Sequence, residues 1–156
     1  MTVEDLVRLH GQTLFRLAVM LTGTAADGED LLQTTLMRLL RSPAGLARAD
    51  QPWRYARRAL VNEYVSAARR PWRREHPVAA VPDVGRDDTV APEDEGWRLL
   101  ATLPRRQRAV LALRYYEHLA DDEIADVLHI SASTVRSNAA RGLATLRTTL
   151  TPTKKV

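Results

Sequence analysis

The 156-residue chain has no cysteine, which excludes disulfides and any thiolate-bound metal. Phenylalanine occurs once, so a core must be built from Leu, Val and Ala with a few Trp and Tyr. Lysine is nearly absent: of the 23 basic residues only Lys154 and Lys155 are lysine. An arginine bias of that kind fits bidentate phosphate and guanine contacts, and it equally fits a GC-rich genome. No run of 18 apolar residues exists, so no membrane insertion is expected. The start, with Glu4 and Asp5, lacks the basic region of a secretory leader, and the expected location is cytoplasmic. His10, His76, His118 and His129 are scattered without metal-ligand spacing. No glycine-rich phosphate loop or nucleophile motif is present. The expectation is a non-enzyme with no metal, no cofactor and no small-molecule substrate.

The charge that is present is unevenly distributed. Residues 1–75 carry +4, residues 76–96 carry −5 and residues 97–156 carry +5. Two basic segments around an acidic connector suit two surfaces that favour a polyanion. The connector also holds Pro71, Pro77, Pro82 and Pro92, a density that blocks a helix and marks a linker. No strand-like alternation and no internal repeat appear elsewhere. The fold class expected is all-α: two small helical domains joined by a Pro-rich acidic linker.

Upstream of the linker the pattern predicts three helices. Thr2 caps the first, with Asp5 as its capping-box partner, and Leu6, Leu9, Thr13, Leu17 and Leu21 form the expected core stripe. Gly23 ends it. Thr24 caps a second helix through Leu31, Leu32, Leu36, Leu39 and Leu40 that ends near Ser42-Pro43. Asp50 caps the third, with Pro52 in its first turn. That third helix is expected to bury Trp53, Ala56, Leu60, Tyr64 and Ala67. Its opposite face carries Arg54, Tyr55, Arg58, Asn62 and Arg69, with Arg70 continuing the charge. Arginines at successive turns with an aromatic and an amide between them suit a partly single-stranded nucleic acid. A solvated basic face is the plainer reading.

Downstream, a short helix around Trp97–Leu100 is expected before one that Pro104 opens and that runs to about Glu117. A brief helix spans Asp121–Leu128, a turn covers residues 129–132, and a last helix runs from Ser133 to about Thr148. Two helices joined by a four-residue turn form a helix-turn-helix, which places its second helix in the major groove. On that helix Val135, Ala139, Leu143, Leu146 and Leu150 gather as the expected core. Ser133, Thr134, Ser137, Ala140 and Arg141 fall opposite, with Arg136 and Asn138 on the flanks. Short donors and Arg without an acid can approach phosphates and base edges. A solvated helix face would normally mix Glu with Lys, and this one has neither.

Leu103-Pro104-Arg105-Arg106-Gln107-Arg108, then Asp122-Glu123-Ile124-Ala125, then Ser133-Thr134-Val135-Arg136-Ser137 resembles the fourth region of extracytoplasmic-function sigma factors. Asp27-Gly28-Glu29-Asp30-Leu31-Leu32-Gln33 resembles the family's second-region motif, and Pro52 to Asn62 resembles its promoter-melting segment. The run Gln33-Thr34-Thr35-Leu36 and the string from Arg69 to Glu75 are most similar to the actinobacterial sigma-E-like subgroup. The resemblance implies a division into residues 1–72 (region 2), 73–95 (linker), 96–150 (region 4) and 151–156 (tail). It implies that Ser133, Thr134, Arg136, Ser137, Asn138 and Arg141 read the minus-thirty-five element. Arg54, Tyr55, Arg58, Asn62, Arg69 and Arg70 would meet the minus-ten element, with the loop from Ser42 to Ala49 forming part of a base pocket. Asp27, Glu29, Asp30, Gln33 and Met37 would bind core RNA polymerase. The implied partners are core RNA polymerase, promoter DNA and an anti-sigma factor. The chain departs from the family where His129 replaces a frequent Gly and where Asn138 and Leu143 replace frequent Arg. A dimeric helix-turn-helix regulator binding an operator is the principal alternative. It leaves the N-terminal Arg/Asn face unexplained, and no dimerisation stripe is visible beyond the core stripes.

Overall fold

The structure, a computed structural model, describes residues 1–67, 82–85 and 95–150, and all regular structure among them is helical. The chain divides into two compact units, Met1–Ala91 and Pro92–Val156. In the first unit α1 spans Val3–Thr22, α2 Ala25–Arg41, α3 Pro43–Arg48 and α4 Pro52–Ser66. The Thr2 hydroxyl accepts from the Asp5 N–H at 3.1 Å, and the Asp5 carboxylate accepts from the Thr2 N–H at 3.3 Å. This reciprocal cap holds the Asp5 carboxyl below its usual pKa, the Thr2 N–H being the main cause. Gly23, at φ 97°, closes α1, its N–H donating to Val19 O at 2.7 Å. Thr24 starts α2 by accepting from the Asp27 N–H at 3.1 Å.

The core of α1 keeps part of the expected stripe. Leu6, Leu14, Leu17, Ala18 and Leu21 are buried, whereas Leu9 is 58% exposed and Thr13 faces solvent. Leu6, Leu17 and Leu21 of the expected stripe are buried, and the packing of α2 and α4 on α1 buries Leu14 and Ala18 in place of Leu9 and Thr13. Leu31, Leu32, Leu36 and Leu39 of α2 and Ala56, Leu60 and Tyr64 of α4 complete this core, each buried leucine contributing roughly 1.5–3 kcal/mol. Gly28 brings α2 against α1 so closely that a β-carbon there would stand 3.0 Å from Val19 N and 2.8 Å from its Cγ2. Glu63, buried on α4, takes an ion pair from Arg38 Nε of α2 at 2.7 Å. His10 and Trp53 lie with ring centroids 5.3 Å apart, tying α1 to the start of α4.

Two expectations fail between α2 and α4. The segment 43–48 is a helix rather than a loop, opened by Pro43. Gln51, not Asp50, precedes α4, with no side-chain cap, and Pro52 occupies the first turn. Proline's fixed φ and missing N–H start both helices without a side-chain acceptor.

In the second unit α5 spans Glu95–Leu99, a 3₁₀ turn covers Leu100–Thr102, α6 is Arg105–Leu111, α7 is Asp121–Leu128 and α8 is Ala132–Leu150. The expected helix to Glu117 changes type after Leu111, becoming a π-turn over Ala112–Tyr116 in which Glu117 N–H donates to Ala112 O at 3.1 Å. The turn ends at His118, whose φ is 57°. Arg114, inside it, donates Nε to Asp121 Oδ1 at 3.2 Å, so Asp121 anchors α7 through Arg114 rather than capping it. This contact raises the Arg114 pKa above its ordinary value. The Ala120 N–H at the start of α7 is taken by the Glu123 carboxylate at 3.3 Å. Val110, Leu111, Leu113, Ile124, Val127, Leu128, Val135 and Ala139 are buried. A β-carbon at Gly142 would stand 2.9 Å from Leu111 Cδ1, so α8 crosses α6 closely. Arg108 is 1% exposed, the largest of the fully buried side chains. Among the described residues no helix is long and apolar enough to cross a membrane.

Gly28→Ala should destabilise the first unit by about 1–3 kcal/mol, because the backbone of Val19 cannot yield as a side-chain tip would. His129, which ends α7 at φ 56°, is in the left-handed region that L side chains occupy at a cost of about 1–2 kcal/mol. His129→Gly should therefore raise stability by up to about 1 kcal/mol. Urea unfolding of the two variants checks both signs.

Candidate nucleic-acid interface

In the second unit the turn between α7 and α8 is built from backbone and hydroxyl groups. His129 N–H closes α7 and Ile130 N–H donates to Ala125 O at 3.1 Å. Ser131 then starts α8: its Oγ accepts from the Thr134 N–H at 3.1 Å and lies 3.0 Å from Ser133 Oγ and 2.8 Å from Thr134 Oγ1. Ala132 is accordingly helical, and α8 begins one residue before the expected Ser133. A cap of this type contributes about 1 kcal/mol.

Packing of α8 on α6 and α7 decides which side chains face outward. Ser133, Arg136, Ser137, Ala140 and Arg141 are exposed, and Thr134 is half-buried with its hydroxyl in the Ser131 cluster. Ser137 Oγ donates back to Ser133 O at 3.1 Å. Asn138 sits at the edge of this face. Asn138 is 8% exposed and donates Nδ2 to Thr134 O at 2.9 Å, so its amide serves its own helix. Leu143 and Leu146, expected in the core, are only half-buried, while Gly142 lies inside. The core seam therefore runs through Val135, Asn138, Ala139 and Gly142. No acid occurs anywhere in α8, while Asp122, Glu123 and Asp126 of α7 are exposed. The exposed face thus offers two arginines, two hydroxyls and a methyl group. These are donors and small groups suited to phosphates and base edges.

In the first unit α4 sets Arg54 and Tyr55 in solvent and leaves Arg58 and Asn62 half-buried on the same side. Arg69 and Arg70 lie outside the described residues. Arg57, one position from this face, is buried. Tyr55 leans over α3: a β-carbon at Gly45 would overlap its hydroxyl oxygen and stand 2.7 Å from Cζ. The segment expected to form a base pocket is thus a helical turn whose small residue admits a tyrosine ring. On α2 a separate polar face holds Glu29, Asp30, Gln33 and Met37, all half-buried, with Asp27 exposed beside it. Thr34 Oγ1 donates to the Asp30 backbone carbonyl at 2.9 Å. No group of three or more His, Asp or Glu that could hold a metal occurs among the described residues.

Residues 6–74 match the family described as sigma-70 region 2, and residues 97–146 match sigma-70, region 4. The chain is 34% identical over 147 residues to the RNA polymerase sigma-E factor of Streptomyces avermitilis, covering 92% of this chain and 82% of that protein. It is 31% identical over 154 residues to the ECF RNA polymerase sigma factor SigL of Mycobacterium tuberculosis, covering 90% and 84%. The structure is similar to the sigma factor RpoE of Bartonella quintana, solved in complex with the anti-sigma factor NepR. The TM-score is 0.63 at 20% identity, with 92% of each chain covered. Each matched region falls within one of the two units, in the order that the motifs predicted.

The burial of Asn138 and the exposure of Arg136 separate two outcomes. Arg136→Ala should weaken binding to duplex DNA and lower the salt slope of log affinity by about 1. Asn138→Ala should change that affinity by less than about threefold. Fluorescence anisotropy over a salt series distinguishes them.

Proposed function

The chain belongs to the extracytoplasmic-function sigma factors, and we propose that it touches promoter DNA through α4 and α8 while α2 docks on core polymerase. As a sigma factor it binds core RNA polymerase and directs promoter-specific transcription initiation. The single observation that carries the residue assignment is the acid-free exposed face of α8. In it Ser133, Arg136, Ser137 and Arg141 lie outward on a helix fixed by the Ser131 cap. This helix enters the major groove at the minus-thirty-five element. Arg136 and Arg141 hold phosphate or guanine, and Ser133, Thr134 and Ser137 supply short contacts.

At the minus-ten element Arg54 and Arg58 hold backbone phosphates, Tyr55 stacks on an unpaired base, and Asn62 pairs with a base edge. Arg69 and Arg70 extend the charge along the strand. Asp27, Glu29, Asp30, Gln33 and Met37 form the polymerase contact, an acidic and amide face with one adaptable apolar side chain. The domain division at 1–72, 73–95, 96–150 and 151–156 follows the same reading. The action is cytoplasmic, and no catalysis by the chain itself is required. An anti-sigma factor is a fitting partner, since the Bartonella quintana protein of similar fold was solved with one. The operator-binding dimer is disfavoured because the relatives align across both units.

Charge reversal at Asp30 tests the polymerase contact. Asp30→Arg should weaken co-migration with core enzyme at least tenfold in a gel-filtration or anisotropy titration. Its duplex binding through α8 should be unchanged. Equal affinity of the variant and the parent for core enzyme would remove α2 from the interface.

A further inference from the structure

Three glycines of the first unit sit inside helices, and what stands over each of them differs. A β-carbon at Gly28 would meet the backbone of Val19, and one at Gly11 would stand 3.3 Å from Val84 Cγ1. At Gly45, on α3, it would overlap the Tyr55 hydroxyl oxygen and stand 2.7 Å from Cζ and 3.3 Å from Cε2. Those three atoms are the tip of a side chain that reaches over from α4. Nothing in the Gly45 backbone calls for glycine. The described glycines with positive φ are Gly23 and Gly85, so alanine would fit α3 and would favour the helix. What alanine would remove is the space that Tyr55 fills. α3 itself is held in place, because Leu46, the next residue, is buried. An added methyl group would therefore displace the ring and leave α3 where it is. A tyrosine on a helix surface has two accessible χ1 wells, and the gap at Gly45 selects between them.

We propose that Gly45 is a positioning residue for the minus-ten element: the space it leaves seats the tip of Tyr55 and so fixes the ring as a platform for an unpaired promoter base. The inference rests on the minus-ten reading of α4 given above and adds to it what sets the ring. Tyr55, Arg58 and Asn62 follow one another at three- and four-residue spacing and share one side of α4. There Tyr55 is 36% exposed and the other two are half-buried. A ring that swings between rotamers must be ordered when a base stacks on it, and that ordering subtracts from affinity. A ring seated beforehand keeps the whole stacking gain.

The full chain assembled with core polymerase provides the test. Anisotropy titrations use a fork-junction probe, duplex over the minus-thirty-five element and single-stranded over the minus-ten element. Gly45→Ala should weaken fork-junction binding by at least about fivefold. Its binding to a duplex carrying only the minus-thirty-five element should change by less than about twofold, and its thermal midpoint should not fall. A merely structural glycine would lower the midpoint, and that result would overturn the proposal. Tyr55→Ala should lose at least as much fork-junction affinity, and the double variant no more than Tyr55→Ala alone, because the seat acts only through the ring. Additive losses would overturn the proposal, as would Gly45→Ala binding the fork junction within about twofold of the parent. Nuclear Overhauser contacts between the Tyr55 ring protons and the Gly45 α-protons should be present in the free full chain, and their absence would overturn the seat. With those contacts present and Tyr55→Ala binding the fork junction as the parent does, the minus-ten reading would fall. The role of the seat would fall with it, though not the seat itself.

Discussion

Close helix packing at two glycines controls what each unit's surface can present. Gly28 lies against the backbone of Val19, and Gly142 lies against Leu111. Each contact fixes the rotation of one helix about its own axis. With α2 set by Gly28, its leucines turn inward and Asp30, Gln33 and Met37 turn outward. With α8 set by Gly142, Val135 and Ala139 fall inside and Arg136, Ser137 and Arg141 outside. A rotation of a third of a turn would replace either polar face with apolar side chains. Close packing therefore decides which side chains each unit presents.

The two units solve the problem of stability at small size in different ways. The first buries leucines from α1 and α2 with Ala56, Leu60 and Tyr64 of α4, and it adds the Arg38–Glu63 pair between helices. The second has a shorter α6 and α7 and relies on a π-turn held by Arg114 and Asp121 to bring them together. Both leave arginine-bearing helices exposed on one side. That division of labour, apolar seam inward and basic face outward, is what a polyanion-binding helical protein requires.

Local signals were legible in the amino-acid order, and tertiary ones less so. The Thr2–Asp5 cap, the break at Gly23, the Thr24 cap and the limits of α7 follow from residue types within four positions of each other, and the structure has them as expected. The α1 stripe followed in part: Leu6, Leu17 and Leu21 are buried as expected, whereas Leu9 and Thr13 are exposed because α2 and α4 pack over Leu14 and Ala18 instead. The loop expected over 42–49 came from the family resemblance alone, and Pro43 in a first turn permits the helix that forms there. Nothing within a few positions marks Arg108 and Glu63 as interior; packing places both inside. Asn138, expected on the flank of the reading helix, is buried with its amide bonded to Thr134 O, which residue type alone does not announce. The Tyr55–Gly45 approach and the Val84–Gly11 contact join positions far apart in sequence or hidden by a turn, and periodicity carries no signal for either.

The central claim is that one chain recruits polymerase and engages a start site at two separated points. Run-off transcription with purified core enzyme tests it most directly, using a promoter with both elements and versions with each element scrambled. The account predicts no specific transcript without the chain, a defined transcript with it, and a loss of at least tenfold when either element is scrambled. A chain that binds a palindromic duplex alone while leaving core enzyme silent on every template would contradict it.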